Sequence, residues 1–212
     1  MLLNCWNHEY GGIVMKKREA GFSLVELMVV CVIIAIISTM AVPNIFRTYR
    51  IYQLDASGHS VASLLQQARM QAVKTNLPAY ANYNNDANAN LAFVVSDPST
   101  TAYTSGNPDV ALPAGVTFQA APPDHAQLDA YLNGGTPQVG GSIGFNARGL
   151  PCIESGGNPA VCPSTTAGFE WFMQSTIGWE AVTVTAAGRI KSWRLTQQTG
   201  GNSACGYTAC WQ

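Results

Sequence analysis

The sequence predicts an α+β protein in which a long N-terminal membrane-anchored helix packs on a small antiparallel β-sheet domain. One long apolar run near the N-terminus indicates the anchor. A helical periodicity continues beyond that run, and short β-rich segments separated by Gly, Pro, Asn and Ser fill the remainder. Of the 212 residues, 47% are hydrophobic and 11% are charged, so part of the chain lies in lipid or the exposed surface is built from uncharged polar residues.

Charge is distributed unevenly along the chain. The 11 basic and 12 acidic side chains give a formal net charge of −1, which argues against wholesale nucleic-acid binding and leaves room for a local patch. No basic residue occurs between Lys74 and Arg148, whereas residues 181–212 contain three cations and no acid. A basic patch is therefore expected only in the C-terminal part.

The apolar run extends from Leu24 to Val42 and follows a leader, residues 1–21, that ends in three cations at 16–18 followed by Glu19, Ala20 and Gly21. As a helix it would span about 28 Å, close to the hydrocarbon thickness of a bilayer. Because basic residues flank the N-terminal side of the anchor at 22–43, the positive-inside rule predicts a cytoplasmic N-terminus and an exported remainder. Pro43 stands where signal cleavage would occur, which disfavours an ordinary secretory signal.

Glu26 is the anomaly within this anchor. A charged side chain at the centre of a bilayer costs about 2.5–3.5 kcal/mol on insertion scales, and less near the interface, so this carboxylate calls for a partner. The segment itself contains no cation. The alternative is a plain single-pass anchor with an unpaired acid.

Residues Lys16 to Leu27, KKREAGFSLVEL, resemble the prepilin motif of type IV pilins and type II secretion pseudopilins. The resemblance implies that a prepilin peptidase cleaves after Gly21 and methylates Phe22. Glu26 would then face the new N-terminal amine of its own chain or of a neighbouring subunit. Met15 opens a compact leader of this kind, so we expect Met15 rather than Met1 to be the true start.

Apolar residues recur every three to four positions from Ile45 to Ala72, which predicts that the helix bends or breaks at Pro43 and resumes as an exported amphipathic segment at 44–76. Leu77-Pro78 should end it, because the residue before Pro avoids helical angles. The β-rich domain would occupy 77–212. Its predicted strands lie at 79–83, 91–95, 116–119, 143–146, 169–173, 179–185 and 189–195.

Within the exported part, residues 67–73 (QARMQAV), 145–149 (FNARG) and the hairpin 182–190 with its Gly188-Arg189 turn resemble the minor pseudopilins of the GspH/FimT group. This implies a structural or assembly subunit of the type II secretion system or of the type IV pilus machinery. The implied partners are other pilin or pseudopilin subunits, the prepilin peptidase and the inner membrane, with the C-terminal domain in the periplasm or in a fibre. The sequence leaves the choice of machine open.

A binding module for DNA is the alternative function. Some proteins of the FimT group bind DNA for uptake through C-terminal basic residues, and Arg189, Lys191 and Arg194 would offer phosphate contacts here. Trp193 could supply a stacking ring. The competing interpretation is a solvated hairpin face with Trp193 in the core.

Four cysteines lie in the predicted periplasmic part, where disulfides form. Three pairings are open, and we expect Cys152 with Cys162 and Cys205 with Cys210, because these pairs close short Gly-rich loops. A four-thiolate zinc site is the rival, although spacings of ten and five are not those of zinc knuckles. Cys5 lies in the leader and Cys31 in the anchor.

The sequence contains no recognisable catalytic constellation, so we expect no enzyme activity, no cofactor and no metal site. His59 falls on the predicted helix and His125 in a predicted loop, and both are interpreted as surface residues. The glycines between 134 and 144 lack the lysine of a phosphate-binding loop.

Overall fold

A computed structural model describes residues 22–86, 89–96, 109–120, 122, 124–132, 137–153, 162–198 and 209–212. The chain divides into two compact units, Met1–Asn44 and Ile45–Gln212. The described residues form two helices and eleven strands. In chain order these are α1 (Leu24–Thr75), β1 (Ala79–Asp86), β2 (Ala89–Val95), β3 (Asp109–Ala111), β4 (Val116–Gln119), α2 (Ala126–Tyr131), β5 (Gln138–Val139), β6 (Ile143–Phe145), β7 (Pro151–Cys152), β8 (Phe169–Ser175), β9 (Gly178–Val184), β10 (Ile190–Gln198) and β11 (Ala209–Trp211).

Helix α1 is not interrupted at Pro43, contrary to the sequence-based expectation. A proline removes one backbone hydrogen bond and crowds the preceding turn. Here the Asn44 side-chain amide donates to the Met40 carbonyl at 3.2 Å, and the Thr39 hydroxyl donates to the Ile36 carbonyl at 2.7 Å. The helix ends at Thr75, where Asn76 adopts a left-handed conformation with φ of 56°, one that asparagine tolerates better than most residues.

Two β-sheets make up the rest of the exported unit. The first has the strand order β3-β2-β1-β6-β7, with every neighbouring pair antiparallel. The second has the order β11-β10-β9-β8-β4, again antiparallel. Strand β5 pairs in parallel with Phe169 and Glu170 of β8, whereas β4 pairs with residues 172–175 of the same strand. The predicted α+β architecture is therefore confirmed.

The main core lies between the C-terminal part of α1 and one face of each sheet. Small and branched side chains of α1 line it: Leu54, Val61, Ala62, Leu64, Leu65, Ala68 and Ala72. They pack with Phe118, Trp171 and Val182 from the second sheet and with Val94 and Phe145 from the first. Burial of these apolar side chains supplies most of the driving force for folding.

Each sheet also buries its opposite face. On the second sheet, Phe172, Trp193 and Trp211 pack with Leu128 of α2. On the first sheet, Tyr80 and Phe93 pack beside two half-cystines, Cys152 and Cys162. Because both faces are covered, strand β8 alternates between two apolar environments rather than between core and solvent.

Candidate functional site

The N-terminal part of α1 exposes a continuous apolar surface. Its most apolar 18-residue window has a mean hydropathy of 2.7, and no residue of that window is buried. By length and composition this is a helix that can cross a membrane. A large exposed apolar surface of this kind is stable only against lipid or against other apolar helices. An exposed apolar helix of this length supports a single-pass membrane anchor.

Glu26 lies in the first turn of α1, inside this apolar surface. Helical hydrogen bonding reaches back to Ser23, whose carbonyl accepts the Leu27 N–H at 3.1 Å. Phe22 precedes the helix and is 83% exposed. Glu26 is therefore about one helical turn from the backbone nitrogen of Phe22. Gly21, the predicted cleavage residue, lies outside the described residues.

Three segments singled out in the sequence meet at Arg69. Its Nη1 donates to the Gly188 carbonyl at 3.1 Å, which ties α1 to the turn between β9 and β10. A Cβ added at Gly149 would lie 3.0 Å from Arg69 Nε, and one added at Gly188 would lie 2.9 Å from the Gly149 carbonyl. Both glycines also have φ above 70°. The two turns therefore require glycine for conformation and for close approach.

Local side-chain bonds shape both turns. The Asn146 side-chain oxygen accepts the N–H groups of Arg148 and Leu150, at 2.9 and 3.1 Å. The Thr185 hydroxyl oxygen accepts the Arg189 N–H at 3.1 Å. These are turn-forming interactions typical of Asn and Thr. We name the meeting point of the two turns and Arg69 the Arg69 junction.

A cavity of about 560 Å³ adjoins the Arg69 junction. Apolar side chains of Met70, Val73 and Ile190 line part of it. Three cations also line it: Arg69, Lys74 and Arg189. The C-terminal end of α1 and the β9–β10 turn thus form one surface that combines apolar side chains with three positive charges.

The three cations predicted as a DNA patch do not share one face. Arg189 lies exposed in the turn, and Lys191 and Arg194 point to opposite sides of β10. The Lys191 ammonium lies 3.4 Å from the centre of the Trp193 ring. Trp193 is 7% exposed and donates its indole N–H to the Thr183 hydroxyl at 2.8 Å. Trp193 is thus a core residue whose outer face is covered by Lys191.

Cys152 and Cys162 form a disulfide that covers the outer face of the first sheet. Cys210 is also disulfide-bonded. Its predicted partner, Cys205, lies outside the described residues, as does Cys5. Cys31 is a free, exposed thiol on the apolar part of α1.

His125, Asp129 and Glu170 form a cluster that was not predicted from the sequence. The predicted loop around His125 leads directly into α2, so His125 and Asp129 lie one turn apart on the same side. His125 Nδ1 lies 3.2 Å from Asp129 Oδ1 and 3.3 Å from Glu170 Oε2. His125 and Asp129 are four residues apart, a spacing that places two side chains on the same side of a helix. The sequence did not predict α2, so this spacing could not be interpreted.

Glu170 is fully buried on β8, on the face that α2 covers. Neither of its carboxylate oxygens has a hydrogen-bond partner within the described part of the chain. Burial, aided by the negative charge of Asp129, raises the pKa of Glu170 to about 8. The side chains of His125 and Asp129 are 25% and 39% exposed, so the cluster is open to solvent on one side.

A second buried carboxyl, Glu180, lies on the opposite face of the same sheet. It contacts the backbone of α1 at Gly58, where an added Cβ would lie 2.5 Å from Glu180 Oε1. Burial and the charge of Asp55 raise the pKa of Glu180 to about 9, with Arg194 opposing them. Gly58 has no side chain and so leaves the space that this carboxyl fills.

Comparison with known proteins gave one family match and a weak structural likeness. Residues 16–42 match the family model of the prokaryotic N-terminal methylation motif. No curated protein matched. Two crystal structures of the Pseudomonas aeruginosa type IV minor pilin FimU are similar at 16% and 13% identity, with TM-scores of 0.43 and 0.41. The matches cover 67% and 66% of this chain and 89% and 91% of those chains.

The family match begins at Lys16 and ends before Pro43, and so takes in the leader cations, Phe22 and Glu26. It places the motif at the start of α1, ahead of two antiparallel sheets. The chain therefore carries a prokaryotic N-terminal methylation motif on a long apolar helix.

Proposed function

We propose that this protein is a minor pilin-like subunit that enters a fibre through α1 after its leader is cleaved. The observation that carries the proposal is the position of Glu26, which lies in the first turn of α1, inside its exposed apolar N-terminal part, four residues after Phe22. Cleavage after Gly21 would create a positively charged amine on Phe22. That amine is the partner that the carboxylate lacks in hydrocarbon.

Assembly follows from the same surface. In the membrane, lipid covers the apolar side chains of α1, and in a fibre the corresponding helices of neighbouring subunits would replace the lipid. Apolar contact alone does not fix the axial position of one helix against another, whereas a single ion pair in an apolar environment does. A Glu26 carboxylate bonded to a neighbour's Phe22 amine would set this register.

The proposed orientation has the leader in the cytoplasm and the β-rich unit in the periplasm, as the cations at 16–18 favour. The disulfide Cys152–Cys162 supports an oxidising compartment for that unit. A fibre of the type II secretion system and a type IV pilus would both use these features. Identification of the adjacent genes distinguishes the two machines.

Site-specific photocrosslinking in cells tests the proposal. With a photoreactive residue in place of Val29, which is 53% exposed, the processed protein should crosslink to other subunits. Glu26→Gln should leave membrane insertion unchanged and reduce those crosslinks. Thr39→Val is the matched control, a change of one polar side chain in the same helix that should leave crosslinking at the wild-type level. Equal crosslinking of the Glu26→Gln variant would contradict the proposal.

A DNA-binding role in uptake is the second candidate. The observation that favours it is the cavity beside the Arg69 junction, where Arg69, Lys74 and Arg189 lie together. Arg189 and Lys191 are exposed, while Arg194 is half-buried on the α1 side of β10 opposite Glu180. The phosphate contacts would therefore come from the turn and the end of α1 rather than from Arg194.

Binding of duplex DNA to the full-length protein in detergent tests this role. Each phosphate contact contributes roughly −0.9 to the slope of log affinity against log salt. Arg189→Gln and Lys74→Gln should together lower affinity and make the slope shallower, whereas Arg50→Gln, at the other end of the exported helix, should not. Absence of wild-type binding at low salt would eliminate the DNA role.

A further inference from the structure

We propose that His125, Asp129 and Glu170 form a binding site for one divalent transition-metal ion, with zinc as its best-matched occupant. The ion would join helix α2 to strand β8. This inference is independent of the role of α1 in assembly.

The donor atoms have the spacing that a small cation needs. Zinc bonds of about 2.0–2.1 Å that meet at the tetrahedral angle place their donor atoms about 3.4 Å apart. His125 Nδ1 lies 3.2 Å from Asp129 Oδ1 and 3.3 Å from Glu170 Oε2. All three donor atoms lie within 4.8 Å of one another. The arrangement thus fits an ion that takes three protein ligands and keeps one position for water.

The environment of Glu170 points to a ligand that the protein itself does not supply. Its side chain is fully buried, and among the described residues its oxygens accept no hydrogen bond; the polar atom beside Oε2 is His125 Nδ1 at 3.3 Å, itself a donor atom of the proposed site. A buried polar group without a partner is costly, and a carboxylate more so. One of those oxygens is directed at His125 and one side of the cluster is solvent-accessible, so an ion can reach it.

Charge and ligand type narrow the choice of ion. With both carboxyls deprotonated, as metal binding requires, two carboxylates and a neutral imidazole carry a charge of −2, which one divalent ion neutralises. An imidazole with two carboxylates suits zinc and its first-row neighbours, whereas calcium and magnesium prefer all-oxygen sites with six or more ligands. The rigid placement of α2 supports a preformed site: the Gln127 side chain exchanges two hydrogen bonds with the Trp211 backbone, at 2.7 and 3.1 Å.

The test uses the untagged full-length protein in detergent, treated with a chelator and titrated with Zn²⁺. Elemental analysis after desalting should give one zinc per chain, and the thermal midpoint should rise with zinc concentration. Asp129→Asn and Glu170→Gln should each weaken zinc binding by about tenfold or more, given that loss of outer-shell partners alone costs 10–100-fold. Asp129 is partly exposed, so its variant keeps the test valid if the buried Glu170→Gln variant fails to fold.

His59→Gln and Asp109→Asn are the matched controls, and both should bind zinc as the wild type does. Because Cys31 is a free thiol, Co²⁺ should be substituted for zinc to identify the ligand type. Cobalt bound at the proposed site gives d–d absorption without the charge-transfer band of a thiolate ligand. A thiolate band, unchanged zinc affinity in the Asp129→Asn variant, or an equal loss of affinity in the His59→Gln control would overturn the proposal.

Discussion

Glu180 and Arg194 lie directly opposite each other on the antiparallel strands β9 and β10, on the face of the second sheet that α1 covers. Glu180 is 1% exposed and Arg194 is half-buried. The arginine opposes the rise in the pKa of Glu180, but burial prevails and brings that pKa to about 9. The structure therefore holds a neutral carboxylic acid against the helix at neutral pH.

This predicts that the stability of the exported unit falls with rising pH. The folded-state pKa of Glu180 is about 9 and its unfolded-state value is near 4.5, so the folded state retains a proton that the unfolded state has lost. Stability from this group is fully present below pH 4.5 and is lost as pH rises toward 9, by up to about 1.4 kcal/mol per unit. Urea unfolding of the full chain at pH 6 and pH 8 measures it.

Glu180→Gln should reduce that pH dependence, because glutamine keeps the shape and does not titrate. The slope that remains should come from Glu170, whose pKa is raised to about 8. Asp109→Asn, a change at an exposed strand residue, should leave the slope as in the wild type. A Glu180→Gln variant with the wild-type slope between pH 6 and pH 8 would show that this carboxyl is ionised when folded.

Gly58→Ala should destabilise the protein although alanine favours helix by about 1 kcal/mol. The new Cβ would lie 2.5 Å from Glu180 Oε1 and must displace a buried side chain. Overpacking of this kind costs about 1–3 kcal/mol. Combining Gly58→Ala with Glu180→Ala should remove the clash, so a double-mutant cycle of thermal stability should show a favourable coupling. Additive effects would refute the contact.

Arg69→Ala should destabilise the Arg69 junction by about 1–3 kcal/mol, through loss of the bond to Gly188 and of packing against Gly149. Lysine at this position lacks the planar fork, so Arg69→Lys should recover only part of the loss. Arg148→Ala, at an exposed residue of the adjoining turn, is the control and should change stability by less than about 0.5 kcal/mol. Chemical denaturation of the three variants provides the comparison.

A bulky residue in place of Gly21 should block removal of the leader. The small side chain at the junction is what the proposed peptidase accepts, so Gly21→Leu should accumulate in the membrane at precursor mass. Ser23→Ala, two residues away, should be processed normally. Mass spectrometry of the membrane fraction distinguishes the two forms, and a mature Phe22 terminus in the Gly21→Leu variant would argue against this cleavage site.

The fold class and the long helix were predictable because their patterns are local. Seven predicted strands correspond to observed ones, each a run of apolar or β-branched residues bounded by turn residues. Strands β3, β5, β7 and β11 have only two or three residues, too few to show a periodicity. Helix α2 was missed for the same reason, and with it the meeting of His125 and Glu170.

Tertiary contacts account for the remaining differences. Gly188 was predicted as a turn residue and Gly149 as part of a segment that resembles a family, but only the fold brings both to Arg69. Likewise, the closeness of Arg189, Lys191 and Arg194 in the sequence suggested one basic patch. Helix α1 covers one face of the second sheet and α2 covers the other. Successive side chains of β10 therefore point to two different covered faces, with Lys191 on one and Arg194 on the other.

Strand β11 protects the edge of the second sheet. It pairs with the C-terminal half of β10, and Gln212 exchanges backbone hydrogen bonds with Arg194 at 2.7 and 3.0 Å. Truncation after residue 208 would leave backbone N–H and C=O groups of that half of β10 unpaired, and a strand of another chain could then pair with them. It would also release the Gln127 contact that holds α2. Loss of residues 209–212 would therefore make the protein prone to aggregate.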